Sequence, residues 1–224
     1  MQIRENIDFA KKEEEHHKSL YDYLDVKIQT LHRAIELPEH NKTRTLARFL
    51  VRYIDYAAMT IEAVKNMCHD LGLESFAQPF IESAEAYFFS PPECIAKHQE
   101  GLIALASEVY LTHRLFEEFD DKIVRASGNS IIPGDMMIPN LIVHQVIGDT
   151  LGNQLDAIVS ERIDRLFKQQ RLHKSQEFQQ FLLRMSSGSW PPTKYELDWP
   201  FCDLDDELEL KLPIFDTLSY STLH

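Results

Sequence analysis

Two ionisable residues in the stretch 108–123 occur where a helix would present apolar side chains. At about 100° per residue, His113 and Asp120 share a helical face with Phe116, and Glu117 lies at the edge of that face. An ionisable group that is buried without a partner destabilises a fold by several kcal/mol. We therefore predict that these side chains contact one another, a metal ion or water.

The same helical count places polar residues among apolar ones in two other segments. Glu13 and His17 align with Leu20, and His144 aligns with Leu151. Short connections make successive helices run up and down, so the start of the first helix, the end of the fourth and the start of the fifth should lie at one end of a bundle. We therefore expect all of these polar residues to converge there.

Carboxylates and imidazoles that converge inside a helical bundle are the ligands of non-haem di-iron and di-manganese sites, because carboxylate oxygens bridge hard cations and imidazoles fix the geometry. The predicted ligands are Glu13, His17, His113, Glu117, Asp120 and His144. Such a site, holding Fe or Mn, would make the protein a metal-dependent oxidase or hydroxylase that acts on a small organic substrate. Tyr21 or Tyr53 would form a neighbouring polar wall. The paired Glu-x-x-His motif of ferritin-like bundles is incomplete here.

Simpler interpretations of the same residues remain open. An inward histidine such as His144 is often a hydrogen-bonded structural residue, and Glu13 and His17 belong to a charged run that could be solvated. Asp120 could lie in a solvated acidic patch or pair with Arg162. The whole cluster could also be a closed hydrogen-bond network that holds no metal.

A second functional hypothesis is a non-enzymatic helical scaffold that binds a partner protein. The segment 189–224 is acidic and carries large apolar residues, among them Trp190, Trp199 and Phe215, of the kind that often anchor interfaces. The alternative is that this arm packs over its own bundle or across a symmetric dimer.

The hydrophobic periodicity predicts an all-α, single-domain, up-down bundle of five to six helices over residues 1–188, followed by the irregular arm 189–224. Alternation in "ELELKL" could also form a short edge strand. The predicted helices cover approximately residues 6–36, 43–71, 74–89, 92–126, 140–168 and 175–185.

Composition disfavours several classes of partner. Thirty-six acidic against 23 basic side chains give a net charge of −13, which disfavours nucleic acid and anionic membranes as partners. We find no signal peptide and expect a cytoplasmic protein whose three cysteines are free thiols. We also expect a homodimer, because Ile142 and Val146 lie opposite Leu151 on the predicted fifth helix.

Overall fold

The computed structural model describes residues 2–132, 136–170, 175–186 and 209–210. These residues are almost entirely helical, which confirms the predicted all-α class. A 3₁₀ turn spans Ile28–Thr30, and two short strands, β1 (Ile35–Glu36) and β2 (Glu209–Leu210), pair in antiparallel register. The helices are α1 (Gln2–His17), α2 (Ser19–Lys27), α3 (Lys42–Asp70), α4 (Glu74–Phe89), α5 (Glu93–His98), α6 (Gly101–Ser127), α7 (Met137–Ile147), α8 (Asp149–Gln170) and α9 (Gln176–Ser186).

The prediction of one helix over residues 6–36 is wrong, because Lys18 adopts a left-handed conformation, with φ of 53°, that separates α1 from α2. The break is stabilised by Glu14, whose carboxylate accepts hydrogen bonds from the Ser19 hydroxyl and the Leu20 amide, each at 2.7 Å. These contacts satisfy groups at the start of α2 that have no partner within the helix. The predicted helix also ends early, and its last two residues form β1.

The predicted fourth helix is likewise divided, because Gln99 and Glu100 have extended backbones between α5 and α6. The Gln99 amide donates to the Ile147 carbonyl at 3.3 Å and its oxygen accepts a hydrogen bond from the Ser107 hydroxyl. This buried amide therefore holds the break against the end of α7.

The predicted fifth helix reverses direction at Gly148, whose φ of 97° suits glycine and few other residues. His144 Nε2 lies 3.6 Å from Asp156 Oδ2, whereas twelve residues of continuous helix would separate them by about 18 Å. The helices α7 and α8 thus form a hairpin. Because this hairpin buries Ile142 and Val146 within their own chain, the reason for expecting a homodimer is lost. The dimer itself stays a prediction.

Helix α6 lies at the centre of the bundle and packs against α1, α3, α4, α7 and α8. Its buried side chains join an aromatic cluster that holds α4, α6, α8 and α9 together. The rings of this cluster are those of Phe76, Phe80, Phe119, Phe167 and Phe178. Among the described residues, no helix has the length and apolar character needed to cross a bilayer.

Candidate functional site

Glu13 and His17 lie on the exposed side of α1. Their side chains are 56% and 71% exposed and pair with each other at 3.7 Å. Both residues belong to the charged run at the end of α1, and the simpler interpretation of a solvated segment describes them better than an interior position does.

His113 is fully buried on α6, as its helical face predicted. Its Nε2 lies 3.4 Å from the Thr60 hydroxyl, and its ring meets the Tyr53 ring edge-on at 4.7 Å. Burial lowers the pKa of His113 to about 3, so the imidazole is neutral at physiological pH. Its Nδ1 has no hydrogen-bond partner among the described residues.

Asp120 shares the inward side of α6 but contacts a different part of the protein from His113. Its carboxylate accepts hydrogen bonds from the Ile131 and Ile132 amides at 2.7 Å and 3.2 Å, and it thereby fixes the loop that follows α6. Burial raises the pKa of Asp120, and these hydrogen bonds oppose that rise. The predicted alternative partner, Arg162, instead donates to the Ser83 hydroxyl.

A dense polar cluster centres on Arg114, one turn after Tyr110 on α6. The guanidinium lies 2.7 Å from Glu117, 2.9 Å from Glu118 and 3.1 Å from Asp156 of α8. Glu117 also accepts a hydrogen bond of 2.6 Å from the Asn140 amide of α7. The Arg114 side chain is only 20% exposed, so these contacts are largely shielded from water.

The cluster extends to α3 and to the α7–α8 hairpin. Tyr53 donates to the Asn140 side-chain oxygen at 2.7 Å, and Tyr110 donates to Asp156 at 2.8 Å. His144 lies 3.6 Å from Asp156 and also 3.6 Å from Asp149. Burial, followed by the charge of Asp156, raises the pKa of Tyr110 well above its usual range. We call this set the Arg114 network; its members are Tyr53, Tyr110, Arg114, Glu117, Glu118, Asn140, His144 and Asp156.

The structure thus joins two of the six predicted ligands, Glu117 and His144, through Arg114 and Asp156. Among the described residues, His113 contacts this network through the ring of Tyr53. Within the described ranges, no group of three or more His, Cys, Asp and Glu side chains could hold a metal ion. Glu117 is hydrogen-bonded to Asn140 and ion-paired with Arg114, whereas His144 lies 3.6 Å from Asp156 at the edge of the network. Bound iron or manganese stays a prediction.

A second candidate functional region is an open groove of about 620 Å³ between α1, α2 and α3. Its floor is apolar, and Leu20, Ala47 and Leu102 there are almost completely buried. Tyr21, which we predicted as a wall of the metal site, lies here instead. The lining residues are Lys11, Glu14, Glu15, Lys18, Leu20, Tyr21, Ala47, Arg48, Val51, Arg52 and Leu102.

Four basic and two acidic side chains line this groove, in a protein whose net charge is −13. Lys11 is paired with Asp55 at 2.8 Å, and Glu14 is held by the start of α2. Lys18 and Arg52 form no side-chain hydrogen bond or ion pair with any described residue. Glu15 has no such partner either, so among the described residues the groove offers two unpaired cations against one unpaired carboxylate, beside an apolar floor.

The groove was not predicted, although the sequence contains one signal of it. Arg44, Arg48 and Arg52 follow one another at steps of four in "TRTLARFLVRYID", which places them on one side of α3. Their significance depends on Lys18 and Leu20 of α2, and the packing of α2 against α3 follows from the break at Lys18 that periodicity did not reveal.

No protein-family model matches this chain, and the comparisons with curated proteins and with solved structures also found no match.

Proposed function

We propose that the protein is a non-enzymatic binding protein whose functional surface is the groove between α1, α2 and α3. The ligand is an anionic molecule or segment with an apolar part. The observation that carries this proposal is the position of Lys18 and Arg52, two cations that no described residue pairs, beside a buried apolar floor.

Charge and burial support this class of ligand together. The net charge of −13 repels anions, so an anion is expected to bind only where basic side chains locally outnumber acidic ones. The apolar floor adds about 25 cal/mol for each Å² of ligand surface that it removes from water. A ligand with both properties is retained, whereas a small inorganic anion gains only the screened electrostatic attraction.

The Arg114 network supports an enzymatic function less well. Its guanidinium, carboxylates, amide and phenols are hydrogen-bonded or ion-paired with one another. A substrate would have to displace these contacts before it reached any of those groups. The metal-dependent oxidase or hydroxylase predicted from the sequence stays untested.

Binding of 8-anilinonaphthalene-1-sulfonate, which combines a sulfonate with apolar rings, tests the proposal. We expect the double substitution Lys18→Gln and Arg52→Gln to weaken binding by about tenfold, because each lost charge-assisted contact reduces the affinity. Fluorescence titration at low salt, on protein whose folding is verified by circular dichroism, measures the change.

The matched control is Arg125→Gln with Lys168→Gln, which removes the same charge from exposed positions outside the groove. This variant should bind the dye as the wild-type protein does. Equal weakening in both variants would show that only net charge matters, and the groove would then have no assigned role.

A further inference from the structure

A stripe of arginines extends from the groove along α3. Arg48 and Arg52 line the groove, and Arg44 lies one turn earlier on the same side of the helix. Arg44 and Arg48 are exposed and Arg52 is half-buried. At about 1.5 Å per residue, neighbouring members of the stripe are separated by about 6 Å along the helix axis, and the whole stripe spans about 12 Å.

This spacing matches an extended polypeptide. Alternate side chains of an extended strand lie on one side of it and recur about every 6.7 Å. Acidic residues at alternate positions would therefore meet successive arginines. The intervening side chains would point to the opposite side of the strand, away from α3 and toward the groove residues Leu20 and Tyr21 of α2.

We propose that the groove and the arginine stripe bind an extended segment of a partner protein in which acidic and apolar residues alternate. This inference rests on the proposed function and names the partner. The reason for choosing a peptide over a small anion is the length of the stripe. Arg44 lies outside the groove, so a ligand confined to the groove would not use it.

The test uses a fluorescently labelled synthetic octapeptide that alternates aspartate and leucine, and a second peptide that has four aspartates followed by four leucines. The two have the same composition and charge and differ only in pattern. Fluorescence anisotropy on the full chain should show the alternating peptide binding at least about tenfold more tightly. Equal affinities would overturn the proposal, because peptide binding would then depend on charge alone and not on the order of the residues.

The decisive substitution is Arg44→Gln. It should weaken binding of the alternating peptide about threefold and leave binding of the anilinonaphthalene dye unchanged, because the dye fills only the groove. Arg165→Gln, which removes an exposed arginine of α8, should change neither affinity. If Arg44→Gln leaves the peptide affinity unchanged, the stripe has no part in recognition and the inference is wrong.

The remaining outcomes separate the two proposals. Dye binding without peptide binding keeps the groove as a small-anion site and overturns the peptide partner. Binding of neither probe overturns both proposals. Sedimentation could instead show that the wild-type chain self-associates and that Arg44→Gln prevents this. The occupant of the groove would then be a second copy of the chain, and the partner-protein proposal would be wrong.

Discussion

The Arg114 network and the groove contain similar groups in opposite circumstances. In the network, one guanidinium faces three carboxylates, and Asn140 and Tyr53 satisfy further oxygen atoms. In the groove, Lys18 and Arg52 lack partners among the described residues, while Leu20 and Ala47 form a buried apolar floor. Arginine therefore stabilises the bundle in one region and remains available to a ligand in the other.

This difference shows how structural and functional charge can be distinguished within one chain. A buried charge that is fully paired fixes the arrangement of the helices that supply its partners, here α6, α7 and α8. An exposed charge without a partner contributes little to stability, so its position beside an apolar surface calls for another explanation.

The largest effect is expected from a direct contrast between two arginines. Arg114→Ala leaves Glu117 and Asp156 partly buried without their cation, and we expect the free energy of unfolding to fall by about 3 kcal/mol. Arg52→Ala removes no ion pair with a described residue, and it should change the free energy of unfolding by about 0.5 kcal/mol or less. Urea denaturation of both variants measures the difference. Similar values for the two would abolish the distinction between network and groove.

A smaller loss is expected where the network meets the α7–α8 hairpin. A Cβ atom added at Gly152 would lie 2.5 Å from two ring atoms of His144, so the imidazole must move away from Asp156. We expect Gly152→Ala to lower the free energy of unfolding by about 2 kcal/mol. The clash is absent when residue 144 is alanine. Gly152→Ala should therefore cost less stability in the His144→Ala background than in the wild-type protein. Strictly additive losses would contradict the proposed contact.

The smallest effect concerns the pH dependence produced by His113. Burial lowers its pKa from 6.5 to about 3, so between these values the unfolded chain binds a proton that the folded protein does not. Stability from this group is complete above pH 6.5 and falls as the pH drops, by about 1.4 kcal/mol for each pH unit. Glu108 acts in the opposite direction, because burial raises its pKa from 4.5 to about 7 and its ionisation destabilises the fold as the pH rises through that range.

The pH effect is therefore measured as a difference between variants. Between pH 7.5 and pH 5.5, His113→Leu should lose about 1.4 kcal/mol less stability than the wild-type protein. His40→Leu, at an exposed histidine, is the matched control and should follow the wild-type curve. If His113→Leu follows that curve as well, His113 does not stay neutral in the folded protein.

The periodicity of the sequence was sufficient for the helical class and for the burial of His113, because a buried helical face repeats its apolar residues every three or four positions. It was also sufficient for α4, whose bounds of Glu74–Phe89 agree with the prediction. The breaks at Lys18 and Gly148 were missed because apolar residues continue with a helical period on both sides of each break. Left-handed backbone at a single residue leaves no mark on that pattern.

The site was harder to predict than the fold for a related reason. Helical angles show which residues of one helix share a face, but Asp156 joins Arg114 only because α8 reverses at Gly148 and returns beside α6. The groove depends likewise on how α2 lies against α3. The arm 189–224, with Trp190, Trp199 and Phe215, lies outside the described residues except for Glu209 and Leu210, and the partner-binding hypothesis based on it stays a prediction.

The reversal at Gly148 also has a consequence for the order in which the chain folds. It brings His144 and Asp156 together across only twelve residues, and the entropy cost of closing so short a loop is small. Contacts between near neighbours in sequence form faster than those that join distant segments, such as the hydrogen bond from Tyr53 to Asn140. The α7–α8 hairpin can therefore form early and present Asn140 and Asp156 as a preassembled half of the network, to which α6 and α3 then add.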